Sequence, residues 1–221
     1  MSISTVEQKL KPLSKHLTRK NVGWSILFLL AFIVFVQDLR FLSPHNPYRF
    51  YHYKVRVVLI PHIILGVTAL LSGPIQFSTR IRRAYPRFHK ILGRVYVFSA
   101  LIAAPMGALI PIVGPKDRFF TIGVGVHAFD WFVVTLVAFL TARNHYIAQH
   151  RQWMIRSYIL TFSFVLTRTI VLPITILVTP HQYGLIDIIN NFFYLFVADV
   201  AMGWRELIFK RVQPNTTPQA N

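Results

Sequence analysis

The chain has 221 residues, 54% hydrophobic and only 14% charged, with a mean hydropathy of +0.48 and a formal net charge of +17. A soluble nucleic-acid binder would gather such charge on one face; here Lys and Arg occupy the gaps between apolar runs, which is a membrane protein's pattern and argues against a nucleic-acid partner. The absence of cysteine excludes disulfides, zinc-thiolate sites and a thiolate haem ligand, so any metal chemistry has to rest on histidine.

A helix needs about 20 mostly apolar residues to cross a hydrocarbon core roughly 30 Å thick, and six segments qualify. The first, Val22 to Leu39, follows a basic arm over residues 1–21. It resembles a signal peptide, but no small-residue cleavage pattern occurs between Phe32 and Ser43, so a retained helix is expected. The second, Val55 to Phe77, carries Pro61, His62 and Pro74. The third, Ile91 to Val113, carries Pro105 and Pro111 and follows a basic run from Arg80 to Lys90. The fourth, Phe119 to Thr141, holds His127 and Asp130. The fifth, Met154 to Val178, holds Arg168 and Pro173, and the sixth, Leu185 to Phe209, holds Asp199. Internal prolines are tolerated in membrane helices because neighbours re-satisfy the freed backbone groups, so they predict kinks rather than breaks. The expected class is all-α: one polytopic domain over 1–221, with arm 1–21, helix bundle 22–209 and tail 210–221.

The distribution of Lys and Arg sets the orientation. With the N-terminus in the cytoplasm, 17 of the 24 fall on the inner side, in the arm, the Arg80 to Arg94 stretch, the Arg143 to Arg156 stretch and the chain end. Six fall on the outer side and Arg168 lies within a helix. Both termini are therefore expected in the cytoplasm.

Two stretches, "RFHKILGRVY" and "HRQWMIRSY", share a pattern of histidine, basic residue, then Arg-x-Tyr: His89, Lys90, Arg94 and Tyr96 against His150, Arg151, Arg156 and Tyr158. The preceding helices carry His62 and His127 at matching depth, roughly 10 to 12 Å below the outer surface at 1.5 Å per residue. Helices two and three against four and five thus read as an internal repeat. Parallel repeats bring equivalent residues face to face, His62 to His127 and His89 to His150. Paired neutral imidazoles are what a six-coordinate haem b requires, and the inner pair has Arg94 and Arg156 beside it to neutralise propionates. On this reading the sequence favours His89 with His150 as the ligand pair. The bland alternative is that each histidine only anchors an interface or bonds a carbonyl or hydroxyl.

The intramembrane charges need partners, and the depths suggest Asp130 with Arg168 and Asp199 with Arg156 or Arg94. Either these pairs only fix helix packing or they line a proton or solute path. "GVGVHA" from Gly123 fits a dinucleotide-fingerprint spacing, but inside an apolar helix it reads as close packing.

The blocks "PHIILGVTALLSGPIQFSTRIRR", "RFHKILGRVY" and "HRQWMIRSYILTFSFVLTR" resemble the signature of a widespread multi-pass membrane family known only as a domain of unknown function. The resemblance covers about half the chain, from His62 to Arg168, and puts His62, His89, Arg94, His150, Trp153, Arg156 and Arg168 on recurring positions; His127 falls outside the blocks. It implies a helical membrane fold and no activity. Separately, the histidine layout is similar to six-helix di-haem cytochromes of the ascorbate-reductase type, whose ligands pair across helices two and four and across three and five. The leading expectation is a b-type cytochrome carrying electrons across or along the membrane. The alternatives are a small transporter or channel with a path of Asp130, Arg168 and Asp199, and a non-catalytic scaffold. No nucleophile and base stand at a telling spacing, so no enzyme class is assigned.

Overall fold

The computed structural model describes residues 19–42, 53–114, 117–167, 169 and 180–209. The basic arm to residue 18, the C-terminal tail, Arg168 and Pro173 lie outside the described residues. Seven helices form: α1 (Arg19–Leu42), α2 (Tyr53–Gln76), α3 (Thr79–Ala84), α4 (Pro86–Val113), α5 (Arg118–Arg143), α6 (Ile147–Leu166) and α7 (Pro180–Phe209). Six are long and correspond to the six expected segments; α3 is an additional short turn of helix. Four spans, Val55–Gln76, Pro86–Val113, Arg118–Arg143 and Gly184–Trp204, are long and apolar enough to cross a membrane, and α1 carries a shorter apolar stretch, Ser25–Val36. The first half of α6 is polar, which lowers its mean hydropathy among the described residues.

Local chemistry explains the boundaries. Ser78 caps α3, its hydroxyl accepting from the Ile81 N–H at 3.4 Å. Pro86 takes the first position of α4, where its missing N–H has no partner to lose. Asp117 caps α5 by accepting from the Phe120 N–H at 2.7 Å. Between α5 and α6 the chain reverses through Asn144 and His145, the latter at φ 62°. Pro61, Pro74, Pro105 and Pro111 all lie inside helices, as a membrane bundle permits. α4, α6 and α7 start at Pro86, Ile147 and Pro180, earlier than the apolar runs at Ile91, Met154 and Leu185. Hydropathy marks where lipid begins, and a helix can add turns beyond that point where its polar side chains meet water or headgroups.

α2 packs against α4, α4 against α5, α5 against α6 and α6 against α2, closing a ring of four helices in which α2 and α5 stand diagonally opposite, as do α4 and α6. α7 lies against α5 and α6, and α1 against α2 and α6. Small residues line the contacts: Ala69, Ala100, Ala103 and Ala138 are fully buried, whereas Phe129, Phe196 and Ile189 point outward. In lipid this is the favourable arrangement, because close backbone approach replaces the hydrophobic drive. At the centre the Tyr96 hydroxyl meets Ser157 at 2.8 Å and Thr161 at 3.0 Å, and Ser157 meets Thr135 at 2.6 Å. The Tyr158 hydroxyl donates to the Leu70 carbonyl at 3.3 Å, while its ring lies where a Cβ on Gly73 would stand.

The helix frames match the repeat. His62 and His127 each stand nine residues after the first of their helices, Tyr53 and Arg118. His89 and His150 each stand three after Pro86 and Ile147, and each backbone N–H donates to a tyrosine cap, Tyr85 or Tyr146. Tyr96 and Tyr158 meet near the axis with ring centroids 6.4 Å apart.

α5 and α7 cross through two glycines: a Cβ on Gly123 would lie 2.5 Å from the Gly184 carbonyl oxygen, and one on Gly184 would strike the backbone at Phe119 and Phe120. Gly125, two residues along, has open space. Gly184→Ala is therefore expected to destabilise by about 1–3 kcal/mol in detergent unfolding measurements, while Gly125→Ala is neutral or slightly stabilising.

Candidate functional site

Away from the basic end, the bundle holds a partly open cavity of about 190 Å³ whose wall includes His62 and Gly66 from α2, Gly107 from α4, His127 and Trp131 from α5, Thr161 and Phe164 from α6 and Asp187 from α7. An apolar cavity of about 150 Å³ accepts benzene, so this space suits a flat, mostly apolar group. His62 and His127 share it across the diagonal of the ring.

The His62 ring is fixed. Its Nδ1 lies 2.8 Å from the Ala103 carbonyl oxygen, an obligate acceptor, so Nδ1 carries the proton and Nε2 keeps its lone pair. Phe164 packs edge-on at 6.0 Å, and Gly107 leaves the ring its room, since a Cβ there would come within 2.9 Å of Cε1. His127 has the Leu160 carbonyl, the Asn191 side chain and the Asp130 carboxylate as polar neighbours. Asn191, 1% exposed, donates to Asp130. Asn190 Nδ2 is buried without a hydrogen-bond partner among the described residues, whereas the buried Asn191 and Trp131 side chains have His127 and the Tyr96 hydroxyl as polar neighbours.

At the basic end His150 repeats the device of His62, with Nδ1 2.8 Å from the Ala138 carbonyl oxygen. His89 differs. The buried Gln76 amide, turned so that each atom meets a complementary partner, donates to His89 Nδ1 at 2.8 Å and to the His89 carbonyl at 3.1 Å, and accepts from the Gly93 N–H at 3.1 Å. An Nδ1 that accepts leaves the proton of neutral imidazole on Nε2. His89 and His150 lie within electrostatic reach of one another, with Arg82 beside His89.

Of the expected charge pairs, Arg156 and Asp199 meet, at 2.7 Å from Nη2 and 2.8 Å from Nε to the same oxygen, with the guanidinium 4.8 Å over the Trp153 ring. Arg94 is exposed. Asp130 is held by Asn191, and its expected partner Arg168 is outside the described residues. No group of three or more His, Cys, Asp or Glu side chains gathers as a metal site among the described residues, so iron ligation would rest on a histidine pair. The sequence reading passed over Asp187 and Gln76, though each was visible as a polar residue in an apolar run, and over the tyrosine caps, which a longer repeat window (Tyr-x-x-x-His at Tyr85 and Tyr146) would have found.

A family model described as "Predicted membrane protein (DUF2306)" matches residues 59–204. No curated protein and no solved structure matches.

The Asn191 amide answers the Asp130 carboxylate inside the bundle. Asn191→Leu is expected to lower stability by about 1–3 kcal/mol, the range for a buried polar group left short of a partner. Changing both residues to Leu should recover part of that loss, as read from denaturant unfolding of the purified protein.

Proposed function

Because the chain belongs to the DUF2306 family of predicted membrane proteins, whose description names no activity, we propose its function from the bundle's geometry: a b-type cytochrome that holds haem between His62 and His127 and passes electrons along or across the membrane. The observation that carries this reading is that His62 and His127, at equivalent positions of two diagonal helices, line one partly open cavity, through whose open side a group as large as haem would have to extend. Haem iron with two imidazole ligands supplies one-electron transfer, at a potential set by its ligands, their hydrogen bonds and burial. The chain's own residues do the rest. The Ala103 carbonyl fixes the His62 tautomer and ring plane, which is the usual outer support of a ligating histidine. Gly107 keeps a side chain out of the ring's place, and Val67, Phe164 and Val165 line the cavity and exclude water. Thr161 and Trp131 line the wall as well, both with the Tyr96 hydroxyl as a polar neighbour.

This choice reverses the order in which the sequence ranks the two pairs. His89 takes a hydrogen bond at Nδ1, so its Nε2 carries the proton and has no lone pair to give iron. Arg156, expected beside propionates, is engaged by Asp199. The transporter reading is weakened in the same way: the acid lining the cavity is Asp187, whereas Asp199 is paired near the basic end and Asp130 is tied to Asn191. The charge asymmetry supports placing both termini on the cytoplasmic side.

Purified from cells supplied with haem, the protein should show a low-spin bis-imidazole spectrum. His62→Ala and His127→Ala should each abolish it, and Gly107→Val should weaken haem retention, whereas His89→Ala should spare it. Well-folded, colourless protein overturns the reading and leaves a scaffold or solute path. Topology is checked separately: an impermeant reagent outside intact cells should reach neither terminus.

A further inference from the structure

Acids are scarce in this chain, 7 against 24 basic residues, yet three of them, Asp130, Asp187 and Asp199, lie inside α5 and α7. Two are answered: Asn191 donates to Asp130, and Arg156 meets Asp199. Asp187 is not. It forms part of the cavity wall, where no Lys or Arg stands among the described residues, and its carboxylate makes no ion pair or hydrogen bond among them. Tyr194, two turns further along α7, is bonded to Thr167 instead. The other polar groups of the wall have partners of their own. His62 meets the Ala103 carbonyl, Thr161 donates to the Ser157 carbonyl at 2.9 Å, Trp131 lies beside the Tyr96 hydroxyl, and His127 lies beside Asn191 and the Leu160 carbonyl. The one carboxylate of the wall is therefore also its one group left without a protein partner among the described residues. A carboxylate taken into a bilayer without a counter-ion is costly, and the cost is recovered when the occupant beside it is positive.

Haem held by two neutral imidazoles is such an occupant in one oxidation state only. Iron(III) against the doubly negative porphyrin leaves one positive charge at the centre, whereas iron(II) leaves none. We propose that Asp187 is the counter-charge of the cavity: its carboxylate favours the ferric over the ferrous state and so holds the potential of the bound haem low. This role rests on haem being held by His62 and His127, and it supplies the electrostatic partner which that reading leaves out. Charge and burial around the iron are among the levers by which a protein sets a haem potential. In a low-dielectric interior the carboxylate acts on the iron without touching it.

The ordinary alternative is a carboxyl hydrated through the open side of the cavity, to which the iron is indifferent, and redox titration separates the two. The full chain, purified with haem in detergent and followed by its absorption spectrum, is titrated at constant pH beside its variants. Asp187→Asn and Asp187→Ser, which remove the charge, should each shift the balance about tenfold toward ferrous iron, a rise in midpoint potential of about 59 mV for one electron. Asp187→Glu, which keeps the charge, and Asp199→Asn, at the basic end, should stay within about twofold of the unaltered protein. By linkage, Asp187→Asn should give up ferric haem about tenfold more readily to a competing haem-binding protein, and ferrous haem no more readily than the unaltered chain does. An unmoved potential in Asp187→Asn with the low-spin spectrum intact overturns the role. Equal shifts in Asp187→Asn and Asp199→Asn, or in Asp187→Asn and Asp187→Glu, overturn it too, since they report general charge or packing. Protein that folds but takes up no haem is a separate outcome, which overturns the cytochrome reading and this role with it, whereas coloured protein with an unmoved potential overturns this role alone.

Discussion

The Tyr96 hydroxyl is the contact on which the bundle turns. Inside a bilayer a polar group has no water to fall back on, so a phenol at the axis of four helices must find its partners among them. Tyr96 reaches Ser157 and Thr161 on the diagonally opposite helix α6, and Ser157 in turn reaches Thr135 on α5. Tyr158 completes the belt by reaching the Leu70 carbonyl on α2. These bonds set the relative height of all four helices of the ring. Small residues then let the backbones close, since Ala69, Ala100, Ala103 and Ala138 add almost no side chain between the helices.

The registration has consequences at both ends. With heights fixed, His62 and His127 both line one cavity, and Ala103 and Ala138 present carbonyls to His62 and His150. The two halves of the repeat are nonetheless chemically unlike. His150 donates through Nδ1, whereas His89 accepts there from Gln76, so equivalent positions in a duplicated framework carry opposite hydrogen-bonding roles. A symmetric arrangement of helices thus holds an asymmetric pair, suited to different chemistry from the outer one.

Among the described residues, Asn190 Nδ2 on α7 is buried without a partner, next to Asn191, which serves Asp130 and His127. Unsatisfied buried groups in a bundle otherwise well bonded mark the region where a bound group or ordered water would have the most to contribute. Asp187 lies in the wall of the same cavity. The basic end is the reverse case: the α2–α4 and α5–α6 connections carry many basic residues and no acid, so Asp199 of α7 is the carboxylate that Arg156 meets there.

The amino-acid sequence by itself determined the class, the number of long helices and the matching of two hairpins, and it narrowed the partner of Asp199 to Arg156 or Arg94, because apolar run length, residue spacing and depth along a straight helix are local quantities. It misjudged helix starts by up to seven residues at α6, since hydropathy registers the lipid boundary and not the end of hydrogen bonding. Its expected partner for Asp130, Arg168, lies outside the described residues, and the packing of α7 against α5 brings Asn191 to that carboxylate. Which carbonyl or amide meets each histidine ring was likewise beyond one-dimensional reading. A tautomer is fixed by the single carbonyl or amide facing the ring, and those partners, Ala103, Ala138 and Gln76, lie 12 to 41 residues away in sequence or on the preceding helix. Tertiary structure alone decides such contacts, because they depend on how helices rotate against each other once the central hydroxyls have found their mates.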